Sequence, residues 1–119
     1  MNIYLDKFMS PQAIDAFNVH YNGLKLFVKP KNIKEHLALL LVAGELYYTK
    51  ISDIQTENNM QGQAKMKLLI EATALMAYIH GSIATYAESK TNCGITPSYD
   101  SIDRELRELY NKLTVNKIS

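Results

Sequence analysis

Glu45 and His80 are the two side chains whose types and positions could support acid–base chemistry or ligand binding. Each interrupts a strongly apolar stretch, Leu37–Tyr48 for the carboxylate and Ala72–Ala87 for the imidazole. A polar group in such surroundings needs a bonding partner, because burying it without one is costly. We therefore predict a buried polar site at Glu45 and His80, with His80 or Lys25 as the partner of Glu45.

A cluster of basic side chains forms a second candidate site. Four lysines fall within ten residues: Lys25, Lys29, Lys31 and Lys34. Such a cluster can bind phosphate, nucleic acid or an acidic partner. The free N–H groups of a helix predicted to begin at Asn32 would also favour an anion. The alternative is a solvated strand edge, since lysines protect exposed edges from association.

The other reactive residue types indicate neither catalysis nor a metal. Cys93 is the single cysteine, and no nearby base in the sequence marks it as a nucleophile. A di-iron site in a helical bundle needs Glu-x-x-His motifs, and this motif does not occur. The five glycines are scattered, so no phosphate-binding loop is present. We predict no catalytic residue, no metal site and no cofactor.

Three stretches have the spacing of apolar residues that is typical of helices. The first, at 32–57, begins with the capping-box pattern Asn32-Ile33-Lys34-Glu35. The second, at 64–90, is apolar over most of its circumference, which predicts the central helix of the domain. The third, at 98–116, follows a linker and has a narrow apolar stripe, which favours a terminal helix packed on the domain and is also a candidate interface with another chain. That stripe consists of Ile102, Leu106, Leu109 and Leu113.

The first 31 residues allow two interpretations and are predicted to hold only irregular or short elements. Ser10-Pro11 is typical of the start of a helix, in which Gly23 would end the helix. Asn22-Gly23 is also a strong hairpin signal, and apolar residues alternate on both sides of it. Both interpretations place Leu24–Val28 in an extended conformation.

Composition limits the class of protein. The chain has 119 residues, of which 47% are hydrophobic, and a net charge of +1. These values predict a single globular domain and exclude a disordered chain or a broadly basic nucleic-acid coat. One cysteine suits a reducing compartment, and neither a signal-peptide pattern nor a sufficiently long apolar run is found. We therefore expect a cytoplasmic protein that does not contact a membrane.

The predicted fold is mainly α, a three- or four-helix antiparallel bundle with a possible short β-hairpin or extended segment around 17–28. We expect a small non-enzymatic interaction module that binds another protein and forms a homo-oligomer. Inhibitors and adaptors of this kind are common in phages and mobile elements, and this is the favoured setting. Two alternatives stay open. One is a nucleic-acid-associated subunit that uses the lysine cluster, and the other is a helical bundle or enzyme that binds a nucleotide or another small molecule.

Overall fold

A computed structural model describes residues 9–56 and 62–118 of the chain, without the side chains at 54–56, 63–65 and 116–118. The helices in this part of the chain are α1 (Pro11–Val28), α2 (Ile33–Thr56), α3 (Gly62–Ser89) and α4 (Tyr99–Ile118). They confirm the predicted mainly-α bundle. The described residues form no strand, and their one β-bridge joins Asn92 to Ile95.

Of the two interpretations of the N-terminal segment, α1 confirms the helix that begins after Ser10, whereas the hairpin and the extended segment within 17–28 do not form. The side chain of Ser10 caps the helix by accepting a hydrogen bond from the Ala13 N–H at 3.2 Å. Phe17 is fully buried, whereas Val19 is 73% exposed. A strand would have placed these two side chains on the same face, but a helix separates them. Burial of Phe17 with its helical neighbours therefore favours the helix.

The end of α1 is also different from the prediction. The helix continues through Gly23 and ends at Lys29, which takes the left-handed conformation with φ of 57°. The N–H of Lys29 donates to the carbonyl oxygen of Lys25 at 2.9 Å. Gly23 is therefore an exposed helical residue and not the residue that ends α1.

Helix α2 is the central helix of the bundle, and the prediction that the second long helix would be central is wrong. Helix α2 packs against all three other helices, whereas α3 packs mainly on α2 and α4. Every residue from Leu37 to Gly44 is buried except Val42, which is half-buried. The predicted cap by Asn32 is confirmed, since the Glu35 N–H donates to Asn32 Oδ1 at 2.9 Å. The Glu35 carboxylate reaches back as predicted, but it accepts from the N–H of Lys31 at 3.0 Å and not from that of Asn32. The buried side chains of α2 are mostly large, whereas α3 has many small side chains, so α2 offers more apolar surface for the other helices to cover. This difference explains why α2, and not α3, is central.

Gly44 lets α2 and α3 approach closely. A Cβ atom at this position would collide with the end of the Ile79 side chain and crowd the sulfur of Met76 at 3.2 Å. Ile79 is fully buried. The glycine therefore creates the space that Ile79 fills.

The connection between α3 and α4 contains a tight turn instead of a plain linker. Cys93 and Gly94 have φ values of 53° and 78°. Asn92 and Ile95 exchange backbone hydrogen bonds of 2.9 and 3.0 Å. Positive φ at both central residues identifies a type I′ turn.

Candidate functional site

The outer face of α3 is the side of this helix that points away from the bundle. We define it as Met66, Ile70, Thr73, Ala77, Gly81 and Ala84. All six residues are exposed, and the side chains of Met66 and Ile70 are each 58% accessible. Their spacing of three and four residues places them along one line of the helix. The opposite line contains Leu75, Ile79 and Ile83, which are fully buried in the core.

This outer face carries no charge along most of its length. Between Leu68 and Ala87, Glu71 is the one Asp, Glu, Lys or Arg, and it is 4% exposed on the inner side. Helix α4, by contrast, exposes Arg104 and Glu108 to solvent. Soluble monomers rarely expose a continuous uncharged, partly apolar face, and such a face commonly marks an interaction surface.

Helix α3 also has the length and composition of a membrane span. The segment Met66–Ser89 reaches a mean hydropathy of 1.3, and 28% of its apolar window is buried in the bundle. The core helix of a soluble protein meets the same criteria.

Glu45 does not form the predicted buried site. It is half-buried, and its carboxylate binds Arg107 on α4, with Arg107 Nη1 donating to Glu45 Oε2 at 3.0 Å. Arg107 Nε also donates to Asp103 at 2.8 Å. Hydrogen bonds to Glu45 and Asp103 raise the pKa of Arg107. Neither His80 nor Lys25 is the partner of Glu45, so both predicted pairings are wrong.

His80 is exposed and hydrogen bonds through Nδ1 to the hydroxyl group of Tyr99. Burial raises the pKa of Tyr99, as does the charge of Asp103. His80 and Glu45 nevertheless lie beside one cavity of about 360 Å³ between α2 and α3. Thr73 of the outer face also lines this cavity, so the two predicted residues flank the outer face.

The buried polar residue that the sequence analysis missed is Glu71. Its Oε2 accepts hydrogen bonds from the Ser10 N–H at 2.9 Å and from Ser10 Oγ at 3.0 Å. These bonds tie the start of α1 to α3. Burial, followed by the charge of Glu71, raises the pKa of Tyr47. The signal was present in the sequence, because Glu71 is the one carboxylate between Leu68 and Ala87.

The four lysines have different local surroundings. Lys34 lies near α4 and pairs with Glu105 at 3.6 Å. Lys25 lines a cavity together with His36, on the opposite side of α2 from Lys34. Lys29 and Lys31 are exposed on either side of Pro30. Nucleic-acid binding by this cluster therefore stays a prediction, and Lys34 is the member that already pairs with an acidic side chain.

The apolar stripe of α4 belongs largely to the core. Ile102 is 3% exposed and Leu106 is fully buried, so neither is available as the predicted interface residue. Leu109 is half-buried and packs against the core, and Leu113 is half-buried. The stripe is used inside the chain because α2 supplies the apolar surface that covers it.

Comparison with protein-family models, with curated proteins and with solved structures finds no match to this chain. In the described part of the chain, no three His, Cys, Asp or Glu side chains lie together in a way that could hold a metal ion. The shape and charge of the described surface are therefore the basis for a functional proposal.

Proposed function

We propose that this protein is a small non-enzymatic interaction module that binds another protein through the outer face of α3, with a second copy of the chain as the occupant. The observation that carries this proposal is the exposed, uncharged line from Met66 to Ala84, opposite the buried face of the same helix. Covering this line would remove apolar surface from water, which is the main driving force for association.

The small residues in the middle of the outer face support a close helix–helix contact. Ala77 and Gly81 are one turn apart and exposed. A Cβ atom at Gly81 would meet nothing within 4 Å, so the packing of the bundle itself does not require a glycine there. A partner helix that crosses at this position could approach the backbone directly, as small residues allow.

The charges near the ends of the face favour an antiparallel pair of α3 helices. Lys67 lies ten residues before Ala77, and Glu88 lies ten residues after Tyr78. Both charged residues are exposed. A twofold axis between Ala77 and Tyr78 would therefore bring Lys67 of each copy towards Glu88 of the other. Such self-complementarity is what a symmetric dimer requires.

Sedimentation equilibrium of the purified chain tests this proposal. We expect a mass of twice the 13.5 kDa monomer at high protein concentration, with dissociation on dilution. Ala77→Glu should shift the protein to the monomer, because it places two buried carboxylates near the axis. Ala16→Glu, at an exposed position on α1, is the matched control and should leave the dimer unchanged. Circular dichroism should show the same helix content for both variants.

A charge exchange tests the antiparallel arrangement. Lys67→Glu should weaken the dimer, and adding Glu88→Lys to the same chain should restore it. A protein that is monomeric at every concentration would refute the proposal. Equal weakening of the dimer by Ala77→Glu and Ala16→Glu would also refute it. Binding of the monomeric chain to phosphatidylcholine vesicles, lost in Ala77→Glu, would assign the face to lipid and would also refute it.

A further inference from the structure

A groove runs over α2 between α1 and α3. One half is a cavity of about 480 Å³. The other half is also a cavity of about 480 Å³. Both cavities are lined by His36, Leu40 and Tyr78, so they adjoin, and we refer to them together as the His36 groove. Cavities of this size are suited to small organic ligands.

The half beside α1 is polar. Asn18, Tyr21, Asn22 and Lys25 line it from α1, where their spacing places them on one helix face. The hydroxyl group of Tyr21 hydrogen bonds to His36 Nδ1 on α2. Burial raises the pKa of Tyr21, and burial followed by the charge of Lys25 lowers the pKa of His36. The lowered pKa favours the neutral form of His36, so Lys25 supplies the positive charge of this half.

The half beside the end of α3 is mainly apolar. Ile33, Leu37 and Tyr86 line it in addition to the shared residues. The hydroxyl groups in this half already donate to carbonyl oxygens of α3 itself, and they belong to Ser82, Thr85 and Ser89. Lys90 closes this end, with its ammonium group 5.1 Å from the centre of the Tyr86 ring.

The charges of the groove have one sign. None of the described residues that line either half is acidic, while Lys25 and Lys90 stand at its two ends. Lys34 shows the contrasting case, because Glu105 lies 3.6 Å from its ammonium group. Cations without nearby carboxylates in a partly enclosed space attract anions.

We propose that the His36 groove binds a small organic anion with an apolar body. The anionic group lies beside Lys25 and the amides of Asn18 and Asn22, which can donate hydrogen bonds to it. The apolar body lies over Leu40 and Tyr78 and extends into the second half of the groove. This site lies beside the proposed dimer face, because its lining residues Tyr78 and Thr85 are each one position along α3 from the outer-face residues Ala77 and Ala84.

Titration with 1-naphthyl phosphate, followed by two-dimensional ¹H–¹⁵N NMR, tests the site. We expect shift changes at the side-chain amides of Asn18 and Asn22 and at the backbone of His36. The two halves of the probe, inorganic phosphate and 1-naphthol, should each bind at least about tenfold more weakly, because each makes only part of the contacts.

Two lysine variants test which cation contacts the anionic group of the ligand. Lys25→Met should weaken 1-naphthyl phosphate about tenfold, as expected for the loss of one charge-assisted hydrogen bond. Lys31→Met is the matched control, since Lys31 is exposed and belongs to the same cluster of lysines but not to the groove. It should leave the affinity unchanged.

Three results would overturn this inference: equal weakening by both lysine substitutions, equal binding of 1-naphthol and 1-naphthyl phosphate, or shift changes confined to residues outside the groove. Absence of binding by 1-naphthyl phosphate at millimolar concentration would overturn it as well. Sedimentation measures the oligomeric state separately, so a failure of this inference is distinguished from a failure of the proposed dimer.

Discussion

The contact between Glu71 and Ser10 offers the sharpest test of how this bundle is held together. The two residues are 61 positions apart, and the buried carboxylate accepts both the N–H and the hydroxyl hydrogen of Ser10. Ser10 Oγ also accepts the Ala13 N–H and so caps α1. One side chain of α3 therefore fixes the residue that starts α1. Replacing Glu71 by Gln preserves its size and removes its charge.

The expected loss follows from the strength of the two hydrogen bonds. A bond to a charged group contributes about 1.5–3 kcal/mol, against about 0.5–1.5 kcal/mol for a neutral pair. Because Ser10 is only half-buried, we expect Glu71→Gln to lower the free energy of unfolding by about 1–2 kcal/mol. For a chain of 119 residues this corresponds to a fall in Tm of about 4–8 °C.

Urea denaturation of a double-mutant cycle measures this contribution. The cycle compares Glu71→Gln, Ser10→Ala and the double variant, and we expect a coupling free energy of about 1 kcal/mol. Glu108→Gln, at an exposed site on α4, is the control and should change stability by less than about 0.5 kcal/mol. A coupling near zero would refute the reasoning. A more stable Glu71→Gln protein would also refute it, because the cost of burying the carboxylate would then exceed the gain from its hydrogen bonds.

Three further predictions follow from the packing at Gly44, the half-buried imidazole of His36 and the tight turn at Cys93. Gly44→Ala should destabilise the bundle by about 1–2 kcal/mol in urea denaturation, since overpacking against buried Ile79 outweighs the higher helix propensity of alanine. The control Gly23→Ala, at an open helical position, should instead stabilise the bundle by about 0.5–1 kcal/mol. A change of the same sign in both variants would contradict the packing argument. Burial lowers the pKa of His36 below its usual value of 6.5, so the unfolded chain binds more protons and stability should fall as the pH drops through and below 6.5. Tm measured between about pH 7.5 and 5 should decline less for His36→Gln than for the unchanged protein. Parallel declines of Tm in the two proteins would contradict this cause. Cys93→Asn should raise the free energy of unfolding by about 0.5–1 kcal/mol, because Asn-Gly suits a type I′ turn, and a loss in urea denaturation would contradict the turn assignment.

The helices at 32–57, 64–90 and 98–116 could be predicted from local signals. Their observed ends lie within two residues of the predicted ones. Apolar periodicity and the Asn32–Glu35 capping box act over one or two turns of chain, so a short window of sequence contains the information. The same reasoning could not resolve α1, because Ser10-Pro11 and Asn22-Gly23 favour different structures with similar strength. The tertiary structure decided between them, since the helix buries Phe17 and leaves Val19 in solvent.

The partners of polar side chains could not be predicted in this way. Glu45 binds Arg107, 62 residues away, and neither residue type nor helical phase singles out this pair from the other opposite charges in the chain. Burial of Glu71 was detectable as a lone carboxylate in an apolar stretch, but its partner Ser10 was not.

The sequence by itself determined the three helices that became α2, α3 and α4 and the apolar face of each, because both depend on residues only three or four positions apart. The tertiary structure alone decided which apolar faces are covered. It placed α2 at the centre, used Ile102 and Leu106 within the core and left the outer face of α3 exposed. The physical reason is that an apolar face gains stability from any apolar surface that fits it. The choice of covering helix therefore depends on the shapes of all four helices together.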